Sequence, residues 1–375
     1  MPKKILLVTR PIAPPWDEAS KNFAFTLAKD LSSDASLELH LMTKGEVSEL
    51  PERIMQEHVY THSQNDFGFS QKIRSLLFQL ATRKKFDITH YFFTPTKLNS
   101  FIIKNFIKNK KNKSIQTIAT LREDIFSDEE IKELIFANHV VTYSNYAKNK
   151  LISLGIKNVA CVYPGIDLEK YQKKPKNEKL LQNFGFSLDD FVIHFSGEYI
   201  RLGAIDDVID SFIDISKKIP NAKLFLAVRV KNEKDAKKKK EVVEKLKINN
   251  LLEKVAFFDS GEFAMEDIYN LCDISLFPVQ NMHGKFDVPL VVIEAMACEK
   301  PVIISNIPIL KEFSNEKNSI LIEAGNAGQL VKSILDLYNN KEKSVYVGTY
   351  ARTYVEQNFD IKNVAEKYKE LYKNI

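Results

Sequence analysis

Short apolar runs along this chain alternate with longer stretches in which apolar residues recur every three or four positions. The runs read as strands and the periodic stretches as helices. In the first half, strands are predicted at 4–9, 37–43, 87–93, 116–121 and 139–144, with helices over 21–31 and 70–83 between them. In the second half, strands are predicted at 191–197, 222–228, 255–260, 274–279 and 301–305, with helices over 205–218, 236–246, 266–271 and 290–298. Such alternation predicts βαβ units, parallel sheets and an α/β fold. A chain of 375 residues suits two cores rather than one, so the expectation is two Rossmann-like domains in series. Pro164 and Gly165 break both periods. The first domain is therefore drawn at 1–163 and the second at 164–357. A final helix near 363–371 has no strand after it, and residues 358–375 are assigned back to the first domain. No repeat with a period of 20–50 residues is visible.

Composition changes this picture little: 44% of residues are hydrophobic and 27% charged. No apolar run is long enough to span a bilayer. The start, MPKKILLVTRPIAPPW, reads as a buried first strand rather than a signal peptide. Three widely spaced cysteines, Cys161, Cys272 and Cys298, suit a reducing cytoplasm and no metal site. A net charge of +5 does not by itself indicate nucleic acid, and none is expected as a partner. The lysine-rich run 231–247 reads as a solvated helix face. Segment 97–113 carries six lysines and no acid, and its Leu98, Phe101, Ile102, Phe106 and Ile107 recur at helical spacing. Two readings stand for it: an ordinary helix with its apolar stripe in the core, or a peripheral contact with the inner face of a membrane.

The chemistry concentrates in DVPLVVIEAMACEKPVI, residues 287–303. A strand at 274–279 leads through a loop to a helix that opens at Pro289, a residue suited to the first helical position. The amides of Leu290 and Val291 are then donors at a positive helix end, which binds phosphate. Glu294 follows about one turn later. A buried carboxylate is costly unless something pairs with it, and one here is placed to accept hydrogen bonds from the two hydroxyls of a ribose. In open α/β sheets, ligands bind at this carboxyl edge of the strands.

The segment resembles the family 4 (group 1) retaining glycosyltransferases of the GT-B fold, where the similar stretch reads E-G-F-G-L-V-x-L-E-A-M-A-x-G-K-P-V-I. Residues 140–171 resemble the family's domain-joining segment, 195–212 its F-x-G-R-x…K-G-x-D segment, and 351–372 its closing crossover helix. The resemblance implies two Rossmann-like domains facing each other across a cleft, with a nucleotide-sugar donor (UDP-sugar or GDP-sugar) on the second and a glycan, lipid-linked or cell-envelope acceptor on the first. It implies transfer with retention, no metal and no other cofactor. Glu294 would hold the ribose, the amides of Leu290 and Val291 behind Pro289 would face the diphosphate, and Gly197 and Gly261 would join the donor-binding set, the base resting on main chain around 260–262.

The departures from the pattern decide the remaining candidates. The first glutamate of E-x7-E falls on Phe286. Asp287 beside it is the candidate to take over the sugar hydroxyls, with Lys285 on the other side. The arginine of G-R falls on Glu198 and the lysine on Gly203; Arg201 and Arg229 are the candidates to replace those charges, since a guanidinium fork suits phosphate. Residues 9–22 stand where the family has a glycine-rich loop, and Trp16 and Lys21 there are acceptor-side candidates. His90 and Arg122, at the ends of first-domain strands, are candidates to face the reaction. Ser144 reads as a helix N-cap. Two other readings are kept: a sugar-nucleotide epimerase of the same fold, and a degenerate non-catalytic binder, for which the lost cations argue.

Overall fold

Strand-forming runs that are apolar throughout, such as Ile5–Val8 and Leu224–Leu226, are buried on both faces, as strands of a parallel sheet must be. The computed structural model describes residues 2–13, 18–61, 67–109, 111–259 and 262–375. In chain order the elements are β1 (Lys3–Ile12), α1 (Ala19–Leu31), β2 (Leu37–Thr43), β3 (Met55–His58), α2 (Phe69–Thr82), β4 (Ile88–Tyr91), α3 (Lys97–Ile102), β5 (Lys113–Ile118), α4 (Asp128–Leu134), β6 (His139–Thr142), α5 (Asn145–Ser153) and β7 (Val159–Cys161). There follow α6 (Glu178–Asn183), β8 (Phe191–Gly197), α7 (Ile205–Lys218), β9 (Ala222–Val228), α8 (Glu233–Ile248), β10 (Val255–Phe257), α9 (Met265–Leu271), β11 (Ile274–Phe277), α10 (Leu290–Ala297), β12 (Val302–Ser305), β13 (Ile320–Ile322), α11 (Ala327–Asn339), α12 (Lys341–Asn358) and α13 (Ile361–Asn374).

The strands form two parallel sheets, in the orders β3-β2-β1-β4-β5-β6-β7 and β10-β9-β8-β11-β12-β13. The chain divides into two units: residues 1–166, 284–287 and 358–375, and residues 167–283 and 288–357. Helix α13 belongs to the first unit. Its Val364, Ala365, Tyr368 and Tyr372 are buried in the same core as α1, and Lys3 donates from Nζ to the Tyr372 carbonyl at 2.8 Å. Segment 284–287, expected in the second domain, belongs to the first unit as well.

The predicted 97–113 helix is shorter than expected. Helix α3 stops at Ile102, continues as a π-helical turn over Ile103–Ile107, and gives way to β5 at Lys113. Ile103 and Ile107 turn inward, while Leu98, Phe101 and Phe106 stay exposed.

Helix α12 has a glycine where only a glycine fits. A Cβ on Gly348 would lie 2.3 Å from the backbone oxygen of Glu299, itself held in the left-handed region at φ 55°. Backbone cannot swing aside as a side chain can. Gly348→Ala is expected to destabilise the second unit by about 2 kcal/mol, measured by urea denaturation; an unchanged midpoint would contradict this packing.

Candidate functional site

In the second sheet the strand order reverses between β8 and β11, and the crevice beyond the carboxyl ends of such strands is where ligands bind. β8 ends at Gly197, whose missing Cβ leaves room for the Phe195 ring, 2.4 Å from where that atom would sit. Glu198 follows, buried, and gathers two cations. Arg201 donates to it from both Nε, at 2.6 Å, and Nη2, and Lys231 donates from Nζ at 2.9 Å. The side chains of Arg201 and Lys231 remain 42% and 46% exposed, so each cation keeps a solvent-facing side. Among the described residues, Arg201 and Lys231 thus set two positive charges against the Glu198 carboxylate. Gly203 adopts φ 72°, the conformation expected of the glycine in the K-G pair rather than of its lysine. The lysine position is therefore Leu202, which is fully buried and has no charge to offer. This corrects the alignment drawn from sequence.

β11 leads to α10 through a loop tied back to this turn by a hydrogen bond from the Gln280 amide to the Leu202 carbonyl, 2.9 Å. Pro289 is the N-cap of α10 rather than its first helical residue, with φ −72° and ψ 113°. Its carbonyl accepts from the Val292 amide at 3.0 Å. The amides of Leu290 and Val291 head the helix, where no carbonyl a turn earlier can reach them.

Glu294 sits one turn along α10. The hydroxyl of Tyr269, from α9, donates to its Oε2 at 2.9 Å, Tyr171 also hydrogen-bonds to it, and the Lys170 charge favours its ionised form. The residue keeps partial exposure, yet its carboxyl is surrounded by protein, and that burial raises its pKa above the ordinary 4.5. Burial, and then the Glu294 charge, pushes the Tyr269 hydroxyl well above its usual range, so it stays protonated and a donor. The apolar helix tolerates its acid because tyrosine hydroxyls satisfy part of it.

The candidates of the first unit are not gathered in the same way. Asp287 is buried; it accepts from the Ser144 hydroxyl at 2.6 Å, and its amide donates to the Ala119 carbonyl at 2.9 Å. Ser144 caps α5 by accepting from the Ala147 amide at 3.0 Å, so Asp287 extends that cap at a positive helix end. This anchoring corrects the expectation that Asp287 meets sugar hydroxyls. Lys285 is half-buried beside it in the first unit. His90 is wholly buried in β4, with Nδ1 2.7 Å from the Tyr372 hydroxyl and Nε2 2.7 Å from the Thr117 hydroxyl. Both ring nitrogens serve the core, which removes His90 from the catalytic candidates. Lys21 is also buried, donating to the Ala13 carbonyl at 3.0 Å, so it braces the end of β1 instead of reaching for an acceptor.

Arg122 stays a candidate. It follows β5 in the left-handed region at φ 57°, a strained setting for a side-chain residue and one that recurs at functional sites. Its guanidinium grips Asp124 in a bidentate pair, 2.9 and 3.0 Å. It lines a small hollow of the first unit with Thr94, Pro95 and Thr120. Arg229 is exposed just past β9. Trp16 and Gly261 lie outside the described residues.

Three residues of the second unit escape a reading by motif: Lys231, Tyr269 and Tyr171. Lys231 looks like the start of a solvated lysine run, yet it precedes α8 and turns to Glu198. The tyrosines were within reach, since an acid in an apolar helix demands donors and Tyr269 lies on a helix predicted at 266–271.

Residues 176–354 match the family model described as glycosyl transferases group 1. Over that segment the chain is similar to the group 1 glycosyl transferases. It is 20% identical over 255 residues to the uncharacterized glycosyltransferase MJ1069 of Methanocaldococcus jannaschii, covering 67% of this chain and 62% of that one. It is 28% identical over 237 residues to the capsular polysaccharide biosynthesis glycosyltransferase CapM of Staphylococcus aureus, covering 62% and 58%. The chain thus spans about three fifths of the length of these curated relatives. Anabaena Alr3699/HepE, crystallised with UDP-glucose, shares its fold with a TM-score of 0.78 at 18% identity, over 99% of this chain and 100% of that one. The fold is that of the GT-B glycosyltransferases.

Proposed function

We propose that the chain is a retaining, metal-independent glycosyltransferase that moves a sugar from a UDP-sugar or GDP-sugar to a glycan, lipid-linked or envelope acceptor. The observation that carries this reading is the pairing, within one helix, of leading amides at Leu290 and Val291 with the tyrosine-held carboxylate of Glu294. The amides suit a diphosphate, and the carboxylate suits the ribose one turn away. Arg201 and Lys231, at the same edge of the sheet, offset the charge that grows on the departing diphosphate. The acceptor oxygen bonds to the anomeric carbon on the face from which the diphosphate oxygen leaves, and the acceptor proton passes to that diphosphate. Arg122 is assigned to the acceptor side. Support for the donor class comes from HepE, which was crystallised with UDP-glucose, and for an envelope glycan from CapM, named for capsular polysaccharide. The basic segment 97–113 is assigned to a membrane surface, with the protein at the inner face of the cytoplasmic membrane. Among the described residues, no helix is long and apolar enough to cross one.

A thermal-shift panel of UDP, GDP and their sugars tests the donor class: one nucleotide series should raise the melting temperature at millimolar concentration, and a flat panel would leave a non-catalytic relative. Arg201→Ala is expected to lower turnover about tenfold, less than a lone cation would, because Glu198 already offsets part of its charge and Lys231 remains. Turnover equal to wild type would remove Arg201 from the site.

A further inference from the structure

Helix α2 is built inside out. Its buried positions include Gln71, Ser75 and Gln79, with Gln71 1% and Gln79 3% exposed, while Phe69, Ile73, Leu77 and Leu80 face outward, Phe69 78% and Leu77 60% exposed. The polar residues are bonded where they sit. Gln71 accepts from the Thr61 amide at 3.1 Å and donates to the Thr61 carbonyl and hydroxyl at 3.2 and 2.9 Å, and Gln79 donates to the Ser75 hydroxyl at 3.1 Å. Rotating the helix to hide its apolar stripe would break the bonds from Gln71 to Thr61 and from Arg74 Nε to the Val59 carbonyl, 3.0 Å, which tie it to the chain before it; the Gln79–Ser75 bond lies within the helix. The outward face is therefore fixed, and soluble proteins rarely leave such a stripe uncovered.

The stripe does not stand alone. The end of α2 is tied to the π-turn after α3 by Arg83, which donates from Nη1 to the Phe106 carbonyl at 2.9 Å. Leu76 and Phe78 of α2 share one core with Ile102, Ile103 and Ile107. Next to the stripe, Leu98, Phe101 and Phe106 are exposed, the last two with ring centroids 6.3 Å apart. Charge identifies the occupant. Residues 67–113 contain eleven lysines and arginines and one acid, Asp87, a net +10 in a chain of net +5, so the remainder is net −5. Lys72, Arg83, Lys84, Lys104, Lys108 and Lys111 are exposed around the apolar residues.

We propose that α2 and the α3–π-turn segment together form the surface by which the first unit docks on an anionic lipid bilayer. Phe69, Leu77, Phe101 and Phe106 enter the headgroup boundary and the surrounding cations meet lipid phosphates. This extends the contact assigned to 97–113 and is independent of the donor site.

Co-sedimentation of the full chain with vesicles tests it. Vesicles of equal parts phosphatidylcholine and phosphatidylglycerol should pellet the protein, and phosphatidylcholine alone should do so at least about tenfold less well. The double variant Leu77→Gln/Phe101→Gln should bind the anionic vesicles at least about tenfold more weakly, and Lys104→Glu/Lys111→Glu should do likewise. Because all four residues are exposed, each variant should keep the wild-type melting temperature and nucleotide response, which separates failure here from failure of the donor reading. No vesicle binding by the wild type, or equal binding by the apolar variant, overturns the proposal. So does a wild-type dimer in vesicle-free buffer that Leu77→Gln/Phe101→Gln renders monomeric, since the stripe would then hold a second copy of the chain.

Discussion

Glu294→Ala should weaken binding of the nucleoside diphosphate about a hundredfold, ~2.7 kcal/mol. Hydrogen bonds to a charged acceptor contribute about 1.5–3 kcal/mol each, and the carboxylate is proposed to take two from the ribose while the Tyr269 hydroxyl holds Oε2 in position. The substitution also leaves the Tyr269 and Tyr171 hydroxyls without this acceptor, at about 1–2 kcal/mol of stability. Glu294→Gln separates the two effects: it keeps an acceptor for the tyrosines and so most of the stability, but removes the charge that the ribose hydroxyls are to meet. Calorimetric titration with nucleotide, run beside urea denaturation, reads both quantities. Loss of stability in the alanine variant with affinity intact would make Glu294 a purely structural acid.

Acidification should destabilise both units, above all through one wholly buried histidine in each. His90 and His194 are wholly buried. Burial holds the His90 ring well below the ordinary value of 6.5 and lowers His194 to about 3. His90 faces the Tyr372 and Thr117 hydroxyls, and His194 the Ser275 hydroxyl and the Tyr269 ring. The unfolded chain accepts protons below pH 6.5 that these folded rings refuse. Their contribution is therefore full above that pH and lost as pH falls. Each pH unit costs about 1.4 kcal/mol per ring, about 2 kcal/mol per ring at pH 5, and for His194 the loss continues down to about pH 3. In the second unit the raised pKa of Glu294 works in the opposite sense, since the folded carboxyl gains its proton first. The first unit is thus the simpler reporter, and there the part-buried His139, whose pKa burial also lowers, adds to the loss in the same sense. Scanning calorimetry should show its melting temperature about 6 °C lower at pH 5 than at pH 7, and His90→Gln should flatten that slope. Equal melting temperatures at the two pH values would mean that the buried ring is already charged or that it is not buried.

Much of the fold was legible because parallel strands are covered on both faces and read as apolar runs. Strands β2, β8 and β9 and helix α7 fall where those runs and the helical period put them. Strand β3, MQEH at a sheet edge, is half-exposed and carries no such run, so nothing in its letters marked it. Strand β5 begins three residues before the predicted start because its Lys113, Ser114 and Gln116 are polar; Gln116 is nonetheless buried, bonded to the Leu134 carbonyl and the Phe136 amide. Periodicity located α2, but period alone does not say which face is turned in, and there the assumption that apolar means buried fails. In the site, the helix end and Glu294 lie within one short motif and were readable. Glu198 and Lys231 are brought together by neighbouring parallel strands, and Asp287 is claimed by the cap of a helix far earlier in the chain. Those pairings are tertiary and leave no local pattern.

The central claim is that Glu294 grips a ribose at the head of α10. Calorimetric titration of wild type and Glu294→Gln with UDP or GDP, whichever the panel selects, and with its 2′,3′-dideoxy counterpart tests it directly. Wild type should favour the hydroxylated nucleotide about tenfold or more, and Glu294→Gln should bind the two nearly alike. A preference of equal size in both proteins would place the ribose elsewhere and contradict the account.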